Sequence, residues 1–100
     1  MYGLTNEQLS YLKRFVVEPL VNEGARVWLF GSRARGDQKV FSDIDLMVES
    51  ERDLRSTISA IQEVLTNSDL PFKVDLVQDR DFATSYRAGY LRDRVELELT

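Results

Sequence analysis

Apolar residues in the first quarter of the chain recur at the spacing of an amphipathic helix. A capping-box pair, Thr5 with Gln8, predicts where this helix begins. We expect Pro19 to bend or end the helix, because proline cannot donate a backbone hydrogen bond, and Gly24 to close the segment. The apolar stripe of the helix consists of Leu9, Leu12, Val16 and Leu20.

Two runs near the middle of the chain have the composition and alternation of β-strands. The run ARVWLF predicts a strand over residues 26–30, which Gly31 ends. The run SDIDLMVE alternates, so we expect Ile44, Leu46 and Val48 to face one side of the sheet. The residues expected on the opposite side are Asp43, Asp45, Met47 and Glu49.

The second half of the chain continues this succession of helices and strands. Ser50 with Asp53 predicts the start of a second helix, and the run FKVDLV predicts a third strand over residues 72–77. A third, weaker helix containing Gly89 precedes the closing strand VELEL. The apolar residues expected to face inward are Leu54, Ile58, Ile61 and Leu65 in the second helix and Val95, Leu97 and Leu99 in the closing strand.

The order of these elements predicts an α/β (α+β) fold, with helices packed against a mixed four-stranded sheet. A chain of 100 residues, 43% hydrophobic and 30% charged, is typical of one globular domain, so we expect a single domain over residues 1–100. No apolar run approaches the roughly 20 residues that span a bilayer. The start of the chain lacks the basic and apolar regions of a signal peptide, so we expect a cytoplasmic protein with no membrane partner.

Composition limits the available chemistry. The chain contains neither cysteine nor histidine, so it has no disulfide, no thiolate metal site and no imidazole base. Any bound metal must therefore be held by oxygen atoms. The net charge of −4 disfavours direct binding of a polynucleotide backbone, although the arginines near Gly31 form a local basic patch.

Asp43 and Asp45 are candidate metal ligands. Residues two apart on a strand share a face, with Cα atoms roughly 6.5 Å apart, so both carboxylates can bind one cation. Mg²⁺ suits an all-oxygen site that is completed by water and substrate phosphates. The alternative is that both aspartates are simply solvated on an exposed face, as is usual for an isolated pair of this kind.

The turn after the first strand is a candidate phosphate site. Gly31 allows close backbone approach, and Ser32 stands where a helix and its free N–H groups could begin. Ser32 adds a hydroxyl, while Arg33 and Arg35 can make bidentate contacts with phosphate oxygens. The alternative is a tight structural turn with solvated arginines.

Asp75 is the third candidate ligand. A carboxylate in an apolar strand is costly to bury unless it is paired or bound to metal. It could instead pair with an arginine, or share an exposed face with Lys73. With the first two aspartates it suggests phosphoryl or nucleotidyl transfer at two metal ions roughly 3.5 to 4 Å apart. Asp75 is also a candidate to accept the proton of the attacking hydroxyl.

The run GSRARGDQKVFSDIDL resembles the G-S, ten residues, D-x-D signature of the DNA polymerase beta-like nucleotidyltransferase superfamily, and VDLV resembles its third-aspartate strand. The layout is most similar to the minimal nucleotidyltransferases. This resemblance implies that Gly31 and Ser32 contact the triphosphate of ATP, with Arg33 and Arg35 as further phosphate contacts. It also implies that the three aspartates bind two Mg²⁺ ions.

Members of this family are similar to antitoxins that pair with an all-helical HEPN toxin and transfer AMP from ATP to its tyrosine. The resemblance therefore implies a protein adenylyltransferase with a HEPN-type partner. Two alternatives remain open: a nucleotidyltransferase for a small hydroxylated molecule, and a non-catalytic antitoxin that keeps the fold and acts by binding. The chain leaves no room for an acceptor-binding domain, so we expect the acceptor site in another chain, within a homodimer or hetero-oligomer.

Overall fold

A computed structural model describes residues 1–81, 85 and 87–99 of the chain. One mixed sheet is formed by the strands β1 (Arg26–Phe30), β2 (Ile44–Glu49), β3 (Val74–Gln78) and β4 (Val95–Glu96). Their order is β3–β2–β1–β4, with β1 antiparallel to both of its neighbours and β2 parallel to β3. The prediction of a mixed four-stranded sheet packed against helices is confirmed.

The first helical segment begins as its sequence predicts. The Thr5 hydroxyl accepts a hydrogen bond from the Gln8 N–H at 3.0 Å, and the Gln8 side chain accepts one from the Thr5 N–H at 2.9 Å. The segment widens before Pro19, where the Glu18 N–H donates to the Lys13 carbonyl in the pattern of a π-helix. Its three parts are α1 (Asn6–Leu12), a π-helical turn (Lys13–Val17) and α2 (Glu18–Asn22).

Within the described residues three further α-helices connect or follow the strands: α3 (Ser32–Arg35), α4 (Arg55–Thr66) and α5 (Arg87–Asp93). The predicted capping box at the start of α4 is wrong. The Asp53 carboxylate accepts from the Arg55 N–H, and the Ser50 hydroxyl accepts from the Arg52 N–H, so these residues form turns ahead of a helix capped at Leu54. Residues 82–84 and 86 of the predicted third helix lie outside the described residues.

The closing strand is shorter than predicted. The Leu97 N–H still donates to the Val27 carbonyl at 2.9 Å, and the Leu97 side chain is buried. Leu99, which was expected to face inward, is 43% exposed because the strand has already ended. This leaves β4 as a short edge strand.

The two faces of the sheet have different surroundings. One face packs against the apolar stripes of the N-terminal helices and α4, and its strand residues include Val27, Leu29, Ile44, Leu46 and Val48. The other face carries Asp45 and Asp75, with Tyr90 of α5 packed edge-on against Phe30. The candidate chemistry therefore lies on the face opposite the main core. No helix within the described residues is long and apolar enough to cross a bilayer.

Candidate active site

The turn between β1 and α3 brings the backbone against a carboxylate. Gly31 has φ +77°, a conformation that side chains of L-residues rarely adopt. A Cβ atom placed on Gly31 would lie 2.5 Å from the Asp45 Oδ2 atom. The Gly31 carbonyl accepts from the Arg35 N–H at 3.2 Å, which closes the single turn of α3. Glycine is therefore required here for both conformation and space.

Asp45 lies at the centre of the candidate site. In the antiparallel pair it stands opposite Phe30, the last residue before the turn, and in the parallel pair it stands opposite Asp75. Neighbouring strands are about 4.8 Å apart, so the Asp45 and Asp75 side chains project side by side from the same face of the sheet. Asp43 is exposed and lies just ahead of β2. The predicted adjacency of the strands that carry Asp45 and Asp75 is confirmed, whereas Asp43, which was expected on the same strand as Asp45, precedes it.

The environment raises the pKa of the Asp45 carboxyl. Burial is the largest cause, and the negative charges of Asp75 and Asp43 add to it. The positive charges of Arg35 and Lys73 oppose the rise. An ionised carboxylate is thus disfavoured here unless a cation compensates it.

The donor set of the candidate site has the chemistry that a divalent cation requires. All three candidate ligands supply carboxylate oxygens, which Mg²⁺ prefers, and the mutual repulsion at Asp45 is what a cation would relieve. However, within the described residues no three carboxylates already stand close enough to hold a metal ion. The Asp75 Oδ1 atom is instead 3.3 Å from the Lys73 Nζ atom. The residues fit the ion in chemistry and in strand placement, and binding requires their side chains to turn toward one another.

Arg33 does not face this site. Only 1% of it is exposed, and its guanidinium donates to the backbone carbonyls of Ser42 and Tyr2 at distances of 2.9 to 3.0 Å. The predicted phosphate contact is therefore not supported for Arg33, because its donors are engaged in the interior. Arg35 differs: its side chain is 45% exposed and 3.2 Å from Asp37.

A cavity of about 360 Å³ lies above Asp45. The turn and β2 line one side of it through Gly31, Arg35 and Asp45. Helix α5 lines the other side, and this wall was not recognised in the sequence. Its lining residues are Gly89, Tyr90, Arg92 and Asp93.

A hydrogen-bond network anchored on Glu49 holds the α5 wall in place. The Glu49 carboxylate accepts from Trp28 Nε1 at 2.8 Å, from the Tyr90 hydroxyl at 2.9 Å and from Arg94 Nη1 at 2.8 Å. Burial, with the hydrogen bond to Glu49, raises the pKa of Tyr90 to about 12, against the opposing effect of Arg94. The one sequence signal for this network was that Glu49 shares a strand face with Asp45.

The chain is similar to known proteins in both sequence and fold. Residues 9–98 match the family model described as nucleotidyltransferase domain. The chain is 37% identical over 83 residues to the probable protein adenylyltransferase MntA of Haemophilus influenzae, spanning 82% of this chain and 68% of that protein. Its fold is similar to the crystal structure of a toxin-antitoxin with AMP-PNP, with a TM-score of 0.67, 26% identity, and coverage of 88% of this chain and 73% of that one.

Proposed function

The chain belongs to the nucleotidyltransferase domain family, and from this premise we propose that it is an antitoxin that transfers AMP from ATP to a hydroxyl of its toxin. The acceptor we propose is a tyrosine of a helical HEPN-type protein, in the cytoplasm. The names of the similar adenylyltransferase and of the toxin-antitoxin with AMP-PNP support this proposal. The observation that carries it is the pairing of Asp45 with Asp75 beside the Gly31 turn.

The triphosphate of ATP binds at the β1–α3 turn in this proposal. The missing side chain of Gly31 lets the backbone of the turn lie against Asp45. Ser32 offers its N–H and hydroxyl groups to the phosphates. Arg35 lines the cavity and contacts Asp37 through its Nε atom, and it supplies positive charge to the phosphates. The cavity beside Arg35 then receives the rest of the nucleotide.

Asp43, Asp45 and Asp75 would hold two Mg²⁺ ions. When bound, these ions would neutralise charge on the phosphates and favour attack on the α-phosphorus atom. Asp45 would hold the centre of the site because it adjoins both the turn and Asp75. Lys73 would release Asp75 and remain near the metal site as a compensating positive charge.

In this proposal the two substrates lie on opposite sides of Asp45, a placement that the order of the strands supports. The phosphate turn follows β1 on one side, and Asp75 lies on β3 at the other. The Asp75 side chain is 37% exposed, so an acceptor hydroxyl can reach it from solvent. Asp75 would orient this hydroxyl and accept its proton as the new bond to phosphorus forms and pyrophosphate leaves.

The decisive experiment measures the mass of a HEPN-type partner after incubation with ATP, Mg²⁺ and this protein. We expect the partner to gain AMP units, and Asp75→Asn to abolish the gain while the complex still forms. Asp69→Asn is the matched control, because Asp69 is an exposed aspartate in the loop before β3 and should transfer AMP normally. Loss of transfer in both variants would contradict the role of Asp75.

A second candidate is a non-catalytic antitoxin that acts by binding. The observation that favours it is that the carboxylates are not yet arranged to hold a metal and that Lys73 is paired with Asp75. Full neutralisation of the toxin with no change in its mass, with or without Mg²⁺, would support this candidate. AMP transfer to a small hydroxylated molecule but not to the partner would instead support an acceptor of that class.

A further inference from the structure

Arg33 is a buried cation whose partners are neutral. Its Nε and Nη2 atoms both donate to the Ser42 carbonyl, at 3.0 and 2.9 Å, and Nη1 donates to the Tyr2 carbonyl at 3.0 Å. Its guanidinium also stacks over the Phe72 ring at 4.7 Å. Within the part of the chain that the structure describes, Arg33 has no carboxylate at ion-pair distance, and burial lowers its pKa.

A buried cation with only neutral partners contributes little net stability to the fold. A buried charge carries a desolvation penalty of several kcal/mol, and apolar side chains of similar volume often fill such a space at least as well. A guanidinium, however, can hold one carbonyl oxygen with two converging donors and still reach another carbonyl with a third. The gain from Arg33 is therefore the fixed relative position of the segments that it joins.

These segments lead into the candidate metal ligands. The Ser42 carbonyl belongs to the peptide group that joins Ser42 to Asp43. The two hydrogen bonds from Arg33 therefore fix the orientation of the peptide plane that leads into Asp43. Phe72 lies just ahead of β3, whose second residue is Asp75. The Ile44 N–H donates to the Lys73 carbonyl at 2.9 Å, which ties the starts of the two strands together beside Arg33.

We propose that Arg33 is a positioning residue for the metal site, acting through the Ser42–Asp43 peptide and through Phe72. It has no contact with nucleotide or metal, and it determines how readily Asp43 and Asp75 can meet a cation held by Asp45. This inference rests on the proposed ligand roles of those three aspartates. Arg35, two residues further along the same helix, has the separate role of facing the cavity.

The test is a titration with Mn²⁺ as the probe metal, followed by electron paramagnetic resonance in the presence of saturating AMP-PNP. We expect Arg33→Lys, which keeps the charge but not the pair of donors to the Ser42 carbonyl, to weaken Mn²⁺ binding by about 10- to 100-fold, the usual effect of removing a group that orients a metal ligand. AMP-PNP affinity without metal should stay unchanged. Thermal unfolding measured in parallel ensures that binding is compared between folded proteins.

Arg55→Lys is the matched control, since Arg55 is 77% exposed and paired with Asp53 away from the site. Phe72→Leu removes the stacked ring but leaves the donors, and should weaken Mn²⁺ binding by a smaller factor. Unchanged Mn²⁺ affinity in folded Arg33→Lys overturns the inference, and so does unchanged affinity in Phe72→Leu if Arg33→Lys fails to fold.

Asp43→Asn separates this inference from the proposed function. If Asp43→Asn loses Mn²⁺ binding while Arg33→Lys retains it, the metal site stands and the positioning role of Arg33 fails. If Asp43→Asn binds Mn²⁺ as well as the unchanged protein does, the proposed ligand set fails and the inference fails with it.

Discussion

Gly31 and Asp45 approach so closely that a methyl group on Gly31 would lie 2.5 Å from the Asp45 Oδ2 atom. We expect Gly31→Ala to abolish nucleotide binding, because the turn must move away from Asp45. Gly36→Ala is a matched control: Gly36 also has positive φ, at +83°, but a Cβ atom there meets nothing within 4 Å. It should lose about 1 to 2 kcal/mol of folding stability and still bind ATP. Calorimetric titration would check both, and ATP binding by Gly31→Ala would contradict the role of the turn.

Asp45 should reduce stability at neutral pH when no divalent ion is present. Its pKa is raised in the folded state, so the ionised carboxylate is less favourable there than in the unfolded chain. The stabilising contribution of Asp45 is therefore fully present below its pKa in the unfolded chain, and it is lost as the pH rises through its pKa in the folded state. We therefore expect Asp45→Asn to be more stable than the unchanged protein at pH 7 in EDTA, and equal to it in acid. Denaturant unfolding at several pH values measures this difference, and lower stability of Asp45→Asn at pH 7 would contradict it.

Replacing Ser32 and replacing Asp43 should weaken ATP binding differently, because only the effect of replacing Asp43 depends on Mg²⁺. Ser32→Ala removes one neutral hydrogen bond to phosphate and should weaken ATP binding by about 1 kcal/mol. Asp43→Asn removes a charge from the metal site and should weaken binding more, and only when Mg²⁺ is present. Titration calorimetry with ATP in Mg²⁺ and in a chelator gives both values. Equal ATP affinity of the unchanged protein in the two solutions would contradict metal-dependent binding.

Tyr90 should ionise at unusually high pH. Its pKa is raised to about 12, so the unfolded chain gives up this proton first, and stability is lost as pH rises from about 10 toward 12. Ultraviolet absorbance titration of tyrosinate should show a late step that Tyr90→Phe removes. Glu49→Gln removes the acceptor charge and should shift this step to lower pH. A late step that survives in Tyr90→Phe would mean that another tyrosine is responsible.

The parts of the fold that were predicted correctly depend on local sequence signals. The bounds of β1 follow from a short apolar run that ends at a glycine, and the start of α1 follows from a capping box closed within four residues. The turn after β1 was placed correctly for the same reason, because Gly31 marks it in the sequence. These features are specified by neighbours along the chain.

The orientation of Arg33 was predicted wrongly and the α5 wall was missed, and both depend on distant contacts. Whether Arg33 faces solvent or the interior is decided by carbonyls of Tyr2 and Ser42 and by the Phe72 ring. Met47 lies on the same side of β2 as Asp45 and Glu49. It is nevertheless fully buried, since this face of the sheet is also covered. No local pattern reports such coverage. The cavity wall formed by α5 was missed because it is attached through Glu49, far away in sequence.

The π-helical turn at Lys13–Val17 gives the N-terminal helix tolerance to a change in length. Leu12 and Leu20 are both fully buried although they are eight positions apart. In a regular α-helix this spacing would place their side chains about 80° apart around the helix axis. The wider turn absorbs the extra residue and brings both onto one face. A relative with one residue fewer between these two leucines can therefore form a regular helix with the same buried face. In an alignment with such a relative, the gap belongs within Lys13–Val17, where it leaves the sheet and the candidate site unchanged.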